Sequence, residues 1–147
     1  MTSKRFLLLL VPFLALITLA GAPSPDSGVI HIDHDKVAAV FARGGPLLNT
    51  NNLKVLALRR DGPGEVEIHE HDTDVLYVLE GSATLVTGGR PNEPRVTSPG
   101  ETRAGSITGG VDRQLAKGDV MVIPNGVPHW FKEVKPPFLY FMVKAAQ

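Results

Sequence analysis

The chain has 147 residues, enough for one ordinary domain and too few for two, and its 43% hydrophobic content excludes a disordered chain. Fifteen basic residues balance fifteen acidic ones, which argues against electrostatic capture of nucleic acid or an anionic membrane, since both need a basic excess. There is no cysteine, so disulfides, zinc–thiolate sites, iron–sulfur clusters and thiol nucleophiles are excluded.

Residues 1–22 have the layout of a secretory signal peptide. Lys4 and Arg5 form a positive start, Phe6 to Ala20 is an apolar run, and Ala20-Gly21-Ala22 supplies a small-residue cleavage site. The run is 15 residues, shorter than the roughly 20 a helix needs to span a bilayer. A cut after Ala22, or after Ala20, predicts a secreted or periplasmic protein without a stable membrane span. Cutting after Ala22 leaves 125 residues, with two more acidic than basic side chains. Without disulfides, such a domain relies on its own core, a metal or self-association.

Residues 23–52 read as a linker followed by one short helix. Asp33 can cap its start, Val37, Val40 and Phe41 share a face, and Gly44 can close its end. The main domain is expected over 53–147. Leu53 to Arg60, Val66 to His71, Val75 to Glu80 and Ser82 to Thr87 are short β-like runs punctuated by Gly and Pro. Residues 88–112 read as a long polar connection or irregular hairpin. Val120 to Ile123, His129 to Val134 and Phe138 to Val143 are three more candidate strands. Many short strands after one leading helix predict an all-β antiparallel sandwich or small barrel.

Val66-Glu67-Ile68-His69-Glu70-His71 alternates, so one strand through the segment would place Glu67, His69 and His71 on one face. Two imidazoles two residues apart can bind one ion, or simply sit half-exposed on a polar face. A third, His129, follows a Pro/Gly turn far downstream. His31 and His34 have no such pattern and read as surface residues. Tyr77, Trp130, Phe138, Tyr140 and Met142 are expected around the site, mostly as core packing, with Trp130 pointing to the face opposite His129. Val75 to Leu79 is apolar on both faces, which implies a covered strand and suggests a homodimer.

Two segments resemble the cupins. Gly118-x5-Pro124-x-Gly126-x2-His129 matches their second motif, and His69-x-His71, Asp74 and Val75-Leu76-Tyr77-Val78-Leu79-Glu80-Gly81 look like the first. The resemblance covers about residues 53–143. It implies a jelly-roll barrel of the double-stranded β-helix type, with His69, His71 and His129 as metal ligands and Asp74 as the acidic one. The family's acid is usually Glu, with three or four residues between it and the second histidine. In this chain only two residues separate Asp74 from His71, yet Asp74 keeps the six-residue spacing to Gly81. Glu67 is the rival carboxylate and a candidate for proton transfer. Glu133 stands where the family usually has Asn.

Imidazoles with at most one carboxylate suit a divalent transition metal (iron, manganese, nickel, copper or zinc) rather than calcium or magnesium, which want oxygen cages. The reading that follows is a secreted metal-dependent cupin enzyme of dioxygenase, isomerase or lyase type, acting on a small oxygen-rich substrate. The alternatives are a non-catalytic module that binds a metal or a sugar-like ligand, and a structural domain whose histidines hold nothing. Fold alone does not choose among them.

Overall fold

The computed structural model describes residues 28–147, and the expected signal peptide lies outside the described residues. Two units are distinguished, Met1–His31 and Ile32–Gln147; every element below belongs to the second. In chain order these are α1 (His34–Phe41), β1 (Gly45–Asn49), β2 (Leu53–Arg60), β3 (Val66–His69), β4 (Asp72–Thr87), β5 (Arg90–Asn92), β6 (Arg95–Ser98), β7 (Glu101–Ala104), β8 (Ser106–Thr108), β9 (Val111–Ala116), β10 (Val120–Ile123) and β11 (His129–Ala146). No described helix is long and apolar enough to cross a membrane.

The helix forms as its sequence predicts. The Asp33 carboxylate accepts the Lys36 N–H at 2.9 Å, and Gly44 closes the C-terminal end at φ +75°, donating to the Val40 carbonyl. Phe41 meets Phe141 of the sheet edge-to-face, with ring centroids 5.0 Å apart.

All strand pairing is antiparallel, and β11 organises it. Its second half lies between β2 and the first half of β4, while its first half pairs the second half of β4 and touches β3 at His129↔Glu67. Strand β10 continues the sheet beyond the first half of β4, β9 beyond the second, and β7 beyond β3. The result is the expected all-β jelly roll with one short helix.

Strand alternation builds the core. Leu76 and Val78 of β4 point inward with Phe138, Tyr140 and Met142 of β11, and Phe131 packs tilted against both Phe138 and Tyr140. Truncating one of these large side chains would cost roughly 3–5 kcal/mol. Tyr77 points the other way and is exposed, so it is not beside the site as expected. Trp130 also leaves the His129 face, and its indole donates to the Gly64 carbonyl at 2.8 Å.

The strand boundaries differ from the sequence reading in four places. The predicted pairs Val75–Glu80 with Ser82–Thr87, and His129–Val134 with Phe138–Val143, are each one continuous strand. Strand β1 falls in the segment read as linker and helix, and pairs with β2. The predicted strand through His71 ends at His69. Residues 88–112 contain β5 to β8, and β7 enters the barrel beside β3 with Ala104 fully buried.

Candidate metal centre

The candidate site is assembled from cross-strand neighbours, the units from which sheets are stabilised. Glu67 and His69 lie two residues apart on β3 and share its inner face. Glu67 is paired in register with His129 of β11 and with Arg103 of β7; His69 is paired with Glu101 of β7. On the other side, Asp74 of β4 is paired with Lys144 of β11. Lys144 continues the inward alternation of Phe138, Tyr140 and Met142, so register alone carries its ammonium to the interior.

The two imidazoles are buried, with ring centroids 5.2 Å apart. His69 Nδ1 lies 2.7 Å from Glu101 Oε2, and His129 Nδ1 lies 3.0 Å from the Val127 carbonyl. Both partners are acceptors, so each Nδ1 carries the proton and each Nε2 presents its lone pair inward. Asp74 Oδ2 lies 3.5 Å from one Nε2 and 3.6 Å from the other. Glu67 Oε2 lies 3.5 Å from His69 Nε2. The ligand atoms of Glu67, His69 and His129 all lie within 4.8 Å of one another.

Four donors thus converge: Glu67, His69, Asp74 and His129. His71, expected among them, stands apart. Its side chain is 74% exposed and faces the Glu70 carboxylate at 3.9 Å. The physical reason is the end of β3. Glu70 and His71 form a bend, held by Glu70 N–H to Gly100 O at 2.9 Å and by Gln147 N–H to His71 O at 2.7 Å. The two-residue period therefore does not extend to His71. By spacing, His69 fits the second histidine's place in the motif and Glu67 the first. Four residues then separate His69 from Asp74, which recovers the spacing that His71 broke.

Charge is balanced around the centre. Glu67 is held by Arg60 at 3.2 Å and by Arg103 at 3.3 Å. Lys144 Nζ donates to Asp74 Oδ1 and Oδ2 at 2.7 and 2.8 Å and to His69 Nε2 at 2.8 Å. Three cations thus face the carboxylates of Glu67, Asp74 and Glu101. Burial would raise the Glu67 pKa, but His69, Arg103 and Arg60 outweigh it and hold the carboxyl far below its ordinary range. Burial pushes the His129 imidazole down, and the Val127 carbonyl offsets only part of this. For His69 the sign reverses: burial and Lys144 lower its pKa, while Glu67, Asp74 and Glu101 raise it further.

A cavity of about 380 Å³ opens beside the centre, with Leu58, Arg60, Glu67, His129, Tyr140 and Lys144 in its wall. Arg60 is fixed by the Tyr140 hydroxyl at 2.9 Å and lies 4.4 Å above the Phe131 ring. The sequence reading missed Arg60, Glu101, Arg103 and Lys144. For Lys144 a signal was present in the alternation from Phe138; for Glu101 and Arg103 there was none, because their strand lay in the segment read as a connection.

The donor set fits a divalent transition metal. Two imidazole nitrogens and carboxylate oxygens converge, and one ring Nδ1 is held by a carboxylate in the manner of metal-binding histidines. Comparison with known proteins agrees with the fold. The cupin family model matches residues 20–147, and the chain belongs to that family. No curated protein matches it in sequence. Among solved structures it is similar to BH2720 from Bacillus halodurans, at 18% identity and TM-score 0.58, covering 85% of this chain and 83% of that one. It is also similar to hydroquinone 1,2-dioxygenase PnpCD in complex with Cd2+ and 4-hydroxybenzonitrile, at 18% identity and TM-score 0.56, covering 74% and 70%. A third is KdgF from Halomonas sp., at 17% identity and TM-score 0.50, covering 71% and 79%. At these identities the likeness is one of fold.

Proposed function

We propose that the chain is a secreted metal-dependent cupin enzyme, of dioxygenase, isomerase or lyase type, acting on a small oxygen-rich molecule. The observation that carries the metal reading is the pair of buried Nε2 atoms, each with its Nδ1 tied to an acceptor, facing two carboxylates. Glu67, His69, Asp74 and His129 are the ligands on this reading, and His71 is not among them. Iron, manganese, nickel, copper and zinc all suit such a set. When bound, the ion would supply Lewis-acid or redox chemistry to a substrate oxygen.

The chain's own residues then have distinct tasks. Arg60 faces the cavity from a fixed position and can pair with an anionic or strongly polar substrate oxygen. Leu58 and Tyr140 supply apolar wall that excludes water from one side. Glu67 stands at the cavity and, where it is not a ligand, can accept a substrate proton. Its depressed pKa keeps it ionised and makes it a weak base, so any proton it took would pass on readily.

Elemental analysis of protein purified without a polyhistidine tag or added metal tests the metal reading; a clean metal-free result that added ions cannot change rejects it. Substrate screens run with and without oxygen then separate an oxygenase from an isomerase or lyase. A fully loaded protein inactive in every screen would move the reading to a binding module. We also propose a homodimer through the outer face of β10 and β4, where Tyr77, Val120 and Val122 are exposed together. Sedimentation of wild type against Val122→Lys tests it, and N-terminal sequencing of host-expressed protein tests removal of the first 20–22 residues.

A further inference from the structure

We propose that the Lys144 ammonium is the site's built-in cation, so that it and a divalent metal ion are alternative occupants of one cradle. This rests on the metal reading above and goes beyond it, because it assigns a competitive role to a residue outside the ligand set. The first observation is geometric. Lys144 Nζ makes three short contacts, to both oxygens of Asp74 and to His69 Nε2. These are donor atoms the metal would need.

The second is chemical. A neutral imidazole nitrogen has one lone pair, directed in the ring plane. His69 Nδ1 carries its proton toward Glu101, so Nε2 has a single lone pair to give. It cannot accept from the ammonium and bond a metal at once. A metal bound to His69 therefore requires Lys144 to leave that nitrogen.

The third is electrostatic. Glu67, Asp74 and Glu101 are matched by Arg60, Arg103 and Lys144, so an ion added on top of all three would leave the pocket with two uncompensated positive charges. Asp74 is only 1% exposed, so its carboxylate must keep a cation beside it. Lys144 has the means to withdraw. Its side chain is 15% exposed and lines the open cavity, and its four-carbon stem is flexible. The ammonium thus stabilises the metal-free barrel and imposes a tax on metal binding: the apparent affinity is reduced by the fraction of molecules in which Lys144 has moved aside.

Calorimetric titration of Zn2+ and Mn2+ into wild type, Lys144→Met and Lys144→Gln tests this, together with metal-free melting curves. Loss of the ammonium is expected to tighten metal binding by about tenfold or more, the factor for a metal-competent fraction of one in ten or less. The same variants should melt lower than wild type when metal-free and recover most of the difference at saturating Zn2+. Lys54→Met, which removes the cation paired with Asp72, is the control and should leave metal affinity unchanged. In wild type, Zn2+ should speed acylation of Lys144 by an amine-specific reagent, read by peptide mass spectrometry, because the released ammonium reaches solvent. This last arm needs no variant to fold. Unchanged or weaker metal binding in folded Lys144 variants, or no change in Lys144 labelling while metal binds, overturns the proposal and leaves the metal reading standing. No binding by any of the proteins overturns both.

Discussion

His69 and Glu101 face each other across β3 and β7, and their side chains meet with Nδ1 2.7 Å from Oε2. This contact places the imidazole proton on the outer nitrogen and turns Nε2 toward Asp74 and His129. It also raises the basicity of the ring, as carboxylate partners of metal-binding histidines do.

Glu101→Ala is therefore expected to weaken metal binding by roughly 10–100-fold while the barrel stays folded. Glu101 is partly exposed, so the lost contact leaves no sealed charge behind. Metal titration alongside circular dichroism checks this. Wild-type affinity in a folded Glu101→Ala protein would show that the contact does not orient the ligand.

Replacing the histidines one at a time separates the two readings of the motif. His69→Ala and His129→Ala should each lower bound metal sharply, because each removes an inward Nε2. His71→Ala should leave metal content unchanged, since His71 lies outside the cluster and its imidazole is solvated. Metal content by mass spectrometry after desalting reads all three. A loss with His71→Ala equal to that with His69→Ala would restore the spacing first read from the sequence.

That spacing shows what could be read in advance. Strands β2 and β10 were legible because their residues favour strands and are bounded by turns. Strand β4 looked like two because Gly81 resembles a break, and β11 looked like two because of Pro136-Pro137; in the barrel, register shifts between Lys135 and Tyr140 carry the pairing through both. Strand β1 begins Gly45-Pro46, poor strand formers held in place by β2. At the site, the motif pointed to Asp74 and His129 and strand alternation to Glu67, three of the side chains that converge there. His71 was misplaced because alternation holds only while the strand lasts, and nothing local announces its end at His69. Glu101 and Arg103 depend on β7 joining β3, a long-range pairing with no local signature.

Gly81 illustrates how motif residues serve the backbone rather than the chemistry. It sits at φ +79°, and a Cβ there would lie 2.3 Å from the Pro137 carbonyl oxygen. Gly126 has a similar φ of +75° with nothing within 4 Å of a built Cβ. Both alanine variants carry the left-handed penalty of about 1–2 kcal/mol, and Gly81→Ala adds a backbone clash. Urea denaturation should rank Gly81→Ala well below Gly126→Ala in stability. Equal losses would mean that β11 yields at Pro137 without cost.

The acid limb of stability should trace to Glu67. In the metal-free protein its carboxyl titrates far below the ordinary 4.5, so the folded state refuses a proton that the unfolded chain accepts. The stabilisation is complete above about pH 4.5 and is lost progressively as pH falls below that value. Each proton so taken up on unfolding removes about 1.4 kcal/mol per pH unit. The imidazoles add slopes of their own. His129, pushed down, favours the folded state above 6.5 and loses that advantage as pH falls below it, in the same direction as Glu67; His69, pushed up, favours it below 6.5 and loses that advantage only as pH rises, so the difference between wild type and a Glu67 variant, rather than the wild-type slope alone, isolates the carboxylate. Glu67→Gln should therefore lower stability at neutral pH, where Arg60 and Arg103 lose their counter-charge, yet flatten its decline below about pH 4.5. Urea titrations of both proteins with EDTA, at intervals between about pH 3 and pH 6, measure the two slopes. Parallel curves through the acid range would place the responsible carboxylate elsewhere in the barrel.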